Sequence, residues 1–479
     1  MLFNSLQFAV FLPVFCLLYF SMPGRTRTAL LLVASCVFYM AFIPAYILIL
    51  FVTILIDYFA GIYIERSDGS RKKWLLWMSI IATCLVLFVF KYFYFVTGNF
   101  VAAANFFGWQ ISEPTLNIIL PIGLSFHTFQ SLSYVVEVYR GHQKAERNFI
   151  TYATYVMFFP QLVAGPIERP QNLLHQFYEQ HPFDYDRITS GLKRMAWGFF
   201  KKLVIADRLA LYVNDVYGTP HNHTGLQLTL ATFFFAYQIY CDFSGYSDIA
   251  IGSARILGFK LMENFRSPYH SLSVGEFWQR WHISLSTWFR DYVYVPLGGS
   301  RRGLPRWAIA IFVTFAISGL WHGAAWTFVI WGILNAVYLI GGRATKPWRD
   351  RFFGLVGLHD TMLPRKVIMV TTTFALTCVA WILFRAQSMS DAWYIFTHLG
   401  TGWNLRQIGT EQFLMRQMPA AFLGILILEL GQLWQARGSV PEWLSRLPMP
   451  VRWTAYAGFV LAVMMLGIYR NEQFIYFQF

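Results

Sequence analysis

From Trp307 to Gly342 the chain carries no Lys, Arg, Asp or Glu. Wound as one helix, this run would be about 54 Å long, against a hydrocarbon core of about 30 Å. One ordinary crossing cannot use that length, so the run must turn or break. Gly319 and Gly323 mark the expected place, because glycine accepts backbone geometry that other residues resist. His322 then stands at a helix break, inside a membrane or at its edge. Interrupted backbone survives there only when it is buried in protein or lines a wet cavity. An ionisable side chain at such a point is a functional candidate in its own right.

The rest of the chain agrees with a membrane. Of 479 residues 56% are hydrophobic and 13% charged. That composition implies an all-α polytopic membrane protein. The formal charge of +14 reads as an excess of Lys and Arg in cytoplasmic loops, with no nucleic acid implied. Five cysteines lie scattered in apolar stretches without CxxC or metal-ligand spacing, so neither disulfide nor metal is expected. Met1–Phe20 lacks a basic leader and a small-residue cleavage site, and reads as a retained first span.

Spans can be placed along the chain. Leu2–Phe20 is followed by Thr28–Ile64, either a hairpin of two short spans about Pro44 or one long kinked helix. Asp57 within it must face the bundle or lie near an end. Trp74–Thr97 follows, with Lys91 snorkelling. Leu116–Tyr139 is kinked at Pro121-Ile122-Gly123. Phe149–Ala164 lies between basic loops and reads as a re-entrant dip. The mixed basic and aromatic stretch Ser190–Arg208 reads as an amphipathic helix at the interface. Leu226–Ile256, Val367–Phe384, Ala420–Trp434 and Trp453–Ile468 complete the set. The expectation is about eleven or twelve crossings with re-entrant and interfacial helices besides. One membrane-embedded domain would cover residues 1–479, with a catalytic core at 115–342 and an aromatic tail at 470–479, placed outside by the positive-inside rule.

Two polar islands interrupt the apolar pattern. Asp242-Phe243-Ser244-Gly245-Tyr246-Ser247-Asp248 sets carboxylates and hydroxyls inside an apolar run. Lys260–Arg306 contains Glu276, Arg280, Arg290, Asp291, Arg301, Arg302 and Arg306. At roughly 3 kcal/mol per charge at the bilayer centre, seven lipid-facing charges would cost on the order of 20 kcal/mol. This stretch is therefore cytoplasmic, interfacial or enclosed by protein. It holds Glu276-Phe277-Trp278-Gln279-Arg280-Trp281-His282, forty residues before His322. The plain reading of a membrane histidine is a helix–helix hydrogen-bond partner, and an Arg-Trp-His cluster also describes a bilayer anchor. The helix break favours a functional His322 over that reading.

Taken in order, six stretches carry a resemblance. They are Pro121–Arg140 (PIGLSFHTFQSLSYVVEVYR), Phe159–Pro170 (FPQLVAGPIERP), Asp242–Gly252 (DFSGYSDIAIG), Glu276–Gly299 (EFWQRWHISLSTWFRDYVYVPLGG), Ser318–Ala325 (SGLWHGAA) and the aromatic ending. Together they resemble the membrane-bound O-acyltransferase family, in its bacterial alginate O-acetylation branch. The resemblance implies a multi-helix fold around a central tunnel in the bacterial inner membrane. His322 would be catalytic and His282 a second essential histidine. Trp278, Arg280, Arg290, Trp321, Asp242 and Ser244 are the candidate substrate contacts, with structural hydrogen bonding in the tunnel wall favoured over catalysis for Asp242. An acetyl group would pass from a cytoplasmic thioester, acetyl-CoA or alternatively an acyl carrier protein, toward an exported polysaccharide such as alginate, cellulose or peptidoglycan. An extracytoplasmic acetyltransferase partner would complete the transfer. The ending Phe474-Ile475-Tyr476-Phe477-Gln478-Phe479 resembles a Phe-x-Tyr-x-x-Phe segment of such machinery, which would make Tyr476 an acyl relay; the equal alternative is a disordered or membrane-touching aromatic tail.

The chemistry fits. Transfer from a thioester to a hydroxyl needs a base, and a desolvated imidazole stays neutral and ready to accept a proton. Arginines near His282 are suited to coenzyme A phosphates. Two rival classes remain, a secondary transporter and a non-catalytic export subunit. A transporter would usually show two related halves, and none is apparent in this sequence.

Overall fold

A computed structural model describes residues 1–112, 120–301, 303–404, 417–435, 443–444, 446–469 and 474–475. Tyr476 and Arg302 lie outside the described residues, as does the start of the span expected from Leu116. The regular elements described are helices. Seven of them are long and apolar enough to cross a membrane, and the apolar Leu6–Ser21 helix is shorter. The chain is a multi-pass, all-α membrane protein. Its contacts group into two compact units, Met1–Met195 with Ser247–Glu263, and Ala196–Tyr246 with Asn264–Phe479. The stretch 115–342 contributes to both.

In the first unit the region around Pro44 resolves as a hairpin, Gly24–Met40 followed by Tyr46–Glu65. Proline lacks an amide donor and crowds the preceding turn, so a helix does not run through it without strain. Asp57 is buried, and Ser79 and Thr83 donate to its carboxylate at 2.6 and 3.1 Å. The charge faces the bundle, as its cost demands. The next span is continuous from Gly69 to Phe106 and widens into a π turn at Phe88–Tyr92, around Lys91.

Leu124–Arg140 is bounded by Gly123 and Gly141, both at φ +78°. The amides after its last turn fold back onto Val138 and Glu137, a left-handed C-cap that glycine permits. Phe149–Met157 and Phe159–Leu162 are two short buried helices split at Phe158. Nine residues of helix rise only about 13 Å, too little to span the hydrocarbon. That supports a dip rather than a crossing for Phe149–Ala164.

The second unit corrects one expectation. Ser190–Arg208 is not a uniform surface helix. The Tyr185–Phe199 helix opens into a π turn, Phe200–Ala206, in which every residue is buried, Lys201 and Lys202 included. A π turn shifts the helical register, so the lysines do not follow the polar face that α-helical spacing assigns them. Burial of Lys202 is tolerable because its ammonium lies 2.7 Å from both Asp207 and Asp242. Gly245 allows this approach, since a Cβ there would come within 2.8 Å of the Gly198 carbonyl.

The charge-free run becomes a hairpin, Leu304–His322 and Trp326–Leu355. The break falls at Gly323–Ala325, and Gly319 stays helical. Gly323 has φ −158°, which any residue adopts. Its lack of a side chain matters for space instead, because a Cβ would sit 2.2 Å from the Phe328 ring. Gly319 and Gly332 let the two helices touch backbone to backbone. A Cβ on either would lie 2.3 or 2.2 Å from a carbonyl oxygen of the other helix.

Candidate active site

His322 is the last residue of its helix and is buried. Its ring lies 4.8 Å from Trp321, 5.0 Å from Trp331 and 5.3 Å from Phe384, each contact close to edge-on. The hairpin supplies the first two walls, and the Leu363–Arg385 helix supplies the third. Trp381, one turn before Phe384, stacks on Trp331 at 6.0 Å and 13°. The histidine is therefore set in a cage of rings whose packing fixes its direction.

His282 belongs to the same unit and is fully buried. It links two short helices, Val274–Arg280 and Ile283–Phe289, from a left-handed backbone at φ +43°. Left-handed geometry costs a non-glycine residue roughly 1–2 kcal/mol, so the surroundings must hold it. They do so through Asn264. The Asn264 carbonyl accepts the Ile283 amide at 2.9 Å, and the Arg280 carbonyl accepts the Arg266 amide at 3.0 Å. The side-chain oxygen of Asn264 takes Ser284 Oγ at 2.9 Å, the Ser284 amide at 3.3 Å and lies 3.0 Å from His282 Nδ1. Burial pushes the His282 imidazole down to about 3, so it is uncharged at neutral pH.

Trp321 joins the two histidines, with ring centroids 6.4 Å from His282 and 4.8 Å from His322. Phe243 stands edge-on to His282 at 4.5 Å, which brings in the Gly225–Leu257 helix. Trp278 packs on Trp331 at 5.7 Å and donates its indole N–H to Asn335 at 3.2 Å. Of the residues expected here from sequence, His322, His282, Trp321 and Trp278 thus form one contact chain.

The others stand apart from those rings. Asp242, next to Phe243, is buried, and both its oxygens are engaged by the chain itself: Lys202 at 2.7 Å and the Ile475 amide at 2.8 Å. Ser244 is buried in the same helix. The Arg280 guanidinium pairs with Glu276 at 2.5 Å, and Arg290 is exposed beside Asp291 at 2.8 Å. Sequence reasoning missed Asn264, Lys202 and Phe384. Asn264 lies eighteen positions before His282 in a polar stretch, with no spacing to single it out.

Chemically, the arrangement offers two buried imidazoles near a shared tryptophan, with aromatic walls that exclude water. This suits proton transfer at a desolvated reacting centre.

Comparison with known proteins points the same way. The family model for MBOAT, the membrane-bound O-acyltransferase family, matches residues 131–385. The chain is 34% identical to a probable alginate O-acetylase of Pseudomonas putida, with 100% of both chains covered. It is 34% identical to a peptidoglycan O-acetyltransferase of Helicobacter pylori, covering 82% of this chain and 78% of that one. It is 26% identical to a teichoic acid D-alanyltransferase of Bacillus subtilis, covering 67% and 80%.

Proposed function

Since the chain belongs to the membrane-bound O-acyltransferase family, we propose that it moves an acetyl group from a cytoplasmic thioester across the bacterial inner membrane for O-acetylation of an exported polysaccharide. That it is an O-acyltransferase follows from the family and its named relatives. The proposal adds the acyl group, the donor, the direction and the acceptor. One observation carries it: a buried histidine ends a helix inside the charge-free run and shares a tryptophan with a second buried histidine.

On this reading His322 is the general base. It takes the proton from an attacking hydroxyl as the oxygen bonds to the thioester carbonyl. The tetrahedral intermediate collapses, the carbon–sulfur bond breaks, and the imidazolium returns its proton to the leaving thiolate. A positioned base of this kind is worth about 10²- to 10⁴-fold in rate.

His282 has a narrower role than its position alone allows. With its Nδ1–H donated to Asn264, Nε2 carries the lone pair. A neutral ring in that tautomer accepts a proton or a hydrogen bond; it does not donate one to the thioester carbonyl. Arg280 and Arg290 are suited to the phosphates of acetyl-CoA, the donor favoured here over an acyl carrier protein thioester. Tyr476 serves as the first acyl acceptor, and an extracytoplasmic partner passes the group to alginate, cellulose or peptidoglycan.

The test is acetyl transfer from radiolabelled acetyl-CoA by the full chain in lipid nanodiscs, beside His322→Ala and Tyr476→Phe, with any label on the protein mapped. Transfer or hydrolysis by the wild type that His322→Ala lacks is expected, with label on Tyr476. Equal activity in His322→Ala would remove the catalytic assignment of His322, and no transfer or hydrolysis by the wild type from any thioester would favour a transporter or export subunit. Turnover of a carrier-protein thioester alone would replace the donor and leave the chemistry standing.

A further inference from the structure

The Asp242 carboxylate lies in the second unit, where its two oxygens have different partners. Oδ1 lies 2.7 Å from the Lys202 ammonium, which serves Asp207 at the same distance. Oδ2 accepts the backbone amide of Ile475 at 2.8 Å. Phe474 and Ile475 are both almost wholly buried, at 2% and 1% exposure. The Phe474 ring packs 4.8 Å from Tyr246 and 5.7 Å from Phe243. Residues 242, 243 and 246 share one face of the Gly225–Leu257 helix, as their spacing requires. Phe243 in turn stands against His282.

From this we propose that Asp242 is the docking point of Phe474-Ile475, and acts as a positioning residue rather than a substrate ligand. Lys202 sets the carboxylate, Oδ2 holds the Ile475 amide, and Phe243 and Tyr246 seat Phe474. A carboxylate-to-amide bond is charge-assisted and directional, and in a buried setting it is strong. It fixes the residue immediately before Tyr476 beside the aromatic wall of His282. The functional consequence rests on the relay reading of Tyr476 given above; the docking itself does not.

The experiment separates the two. The full chain carries p-benzoyl-phenylalanine in place of Phe474, and the cross-linked peptides are mapped with acetyl transfer measured in parallel. Ile475→Pro deletes the donated N–H without touching the buried ion pairs, whereas Ile475→Ala keeps it. We expect Ile475→Pro to lose the cross-link to residues 242–246 at least fivefold. It should lower kcat tenfold or more at unchanged KM for acetyl-CoA, in a protein that still folds. Ile475→Ala should keep both cross-link and turnover. Asp242→Asn should act in the same direction as Ile475→Pro, and the double variant should lose no more than Ile475→Pro alone. Cross-linking by Ile475→Pro at the wild-type level overturns the proposal, even if Tyr476→Phe proves inactive. Loss of the cross-link with full turnover in both Ile475→Pro and Tyr476→Phe leaves the docking standing and removes the relay.

Discussion

His282 Nδ1 lies 3.0 Å from the side-chain oxygen of Asn264, and the polarity of that contact is fixed by a third residue. The Ser284 amide also points at this atom of Asn264, and an amide N–H only donates. The atom is therefore an acceptor, and His282 must bring a proton on Nδ1. One asparagine thus sets the tautomer of a buried histidine and, through its own carbonyl, the loop on which it sits.

Removing that side chain should impair catalysis more than folding. Asn264→Ala frees the imidazole to rotate and to exchange tautomers, and leaves the Ser284 amide without its acceptor. The unpaired buried amide costs about 1–3 kcal/mol of stability, while the lost tautomer and direction of the ring should lower kcat by roughly tenfold or more, within the range of a positioned acid–base group. Asn264→Asp is the sharper test. A carboxylate beside the ring favours imidazolium, so the pH below which His282 becomes charged should rise from its present acidic value. The pH–rate profile of the two variants decides: an acid limb that does not move in Asn264→Asp would sink the assignment.

The two histidines should respond differently to truncation. His322→Ala should lower kcat by about 10²- to 10⁴-fold. At His282 the backbone adds a second effect, because φ is +43°. His282→Ala and His282→Gly both remove the imidazole and should be equally inactive. Glycine occupies that geometry freely, so His282→Gly should be more stable than His282→Ala by roughly 1 kcal/mol. Thermal melts of the pair check this, and a more stable alanine variant would contradict the strained backbone.

The hairpin that carries His322 predicts a contrast between glycines. A methyl at Gly319 or Gly332 meets a carbonyl oxygen of the facing helix within 2.3 Å. The helices must then part, and overpacking of this kind costs about 1–3 kcal/mol. Gly342, further along the same hairpin, has nothing within 4 Å of a built Cβ. Gly342→Ala should be neutral or stabilising by up to about 1 kcal/mol, through helix propensity alone. Gly319→Ala should also reduce transfer, because Gly319 is three residues from His322. Equal melting temperatures for the two variants would argue against the close helix contact.

These glycines also mark where the sequence was legible. The charge-free run announced a break, because its length cannot fit one crossing, and the structure breaks it beside His322. The reason for glycine was not legible. Backbone freedom was expected at Gly319 and Gly323, yet the structure uses them for proximity, which only the facing Phe328 reveals. Pro44 and Asp57 were legible because each carries a local physical demand. Lys201 and Lys202 were misplaced because a π turn changes the register on which helical spacing rests. Asn264 was invisible because its role is set by a contact across eighteen residues. His282 and His322 were recognisable one by one, but the tryptophan between them takes its place only in three dimensions.

Glu168 gives a prediction about pH. It lies beyond the short buried helices of the first unit, outside the spanning segments, and is fully buried. Its Oε1 accepts the Met262 amide at 2.5 Å. Burial pushes its carboxyl from 4.5 up to about 7, and the hydrogen bonds from Met262 and Asn172 only partly oppose this. The folded protein therefore holds this proton after the unfolded chain has released it. Between the unfolded value and about 7, folding binds the proton more tightly, so stability falls as pH rises through that window and levels off above it. Glu168→Gln keeps an oxygen acceptor for Met262 and removes the ionisation. Its stability should change less than that of the wild type between pH 5 and 8, with the advantage of the variant growing toward the alkaline end. Melting temperatures of both proteins across that range test it, and parallel curves would show that Glu168 ionises in the folded state as it does in the unfolded chain.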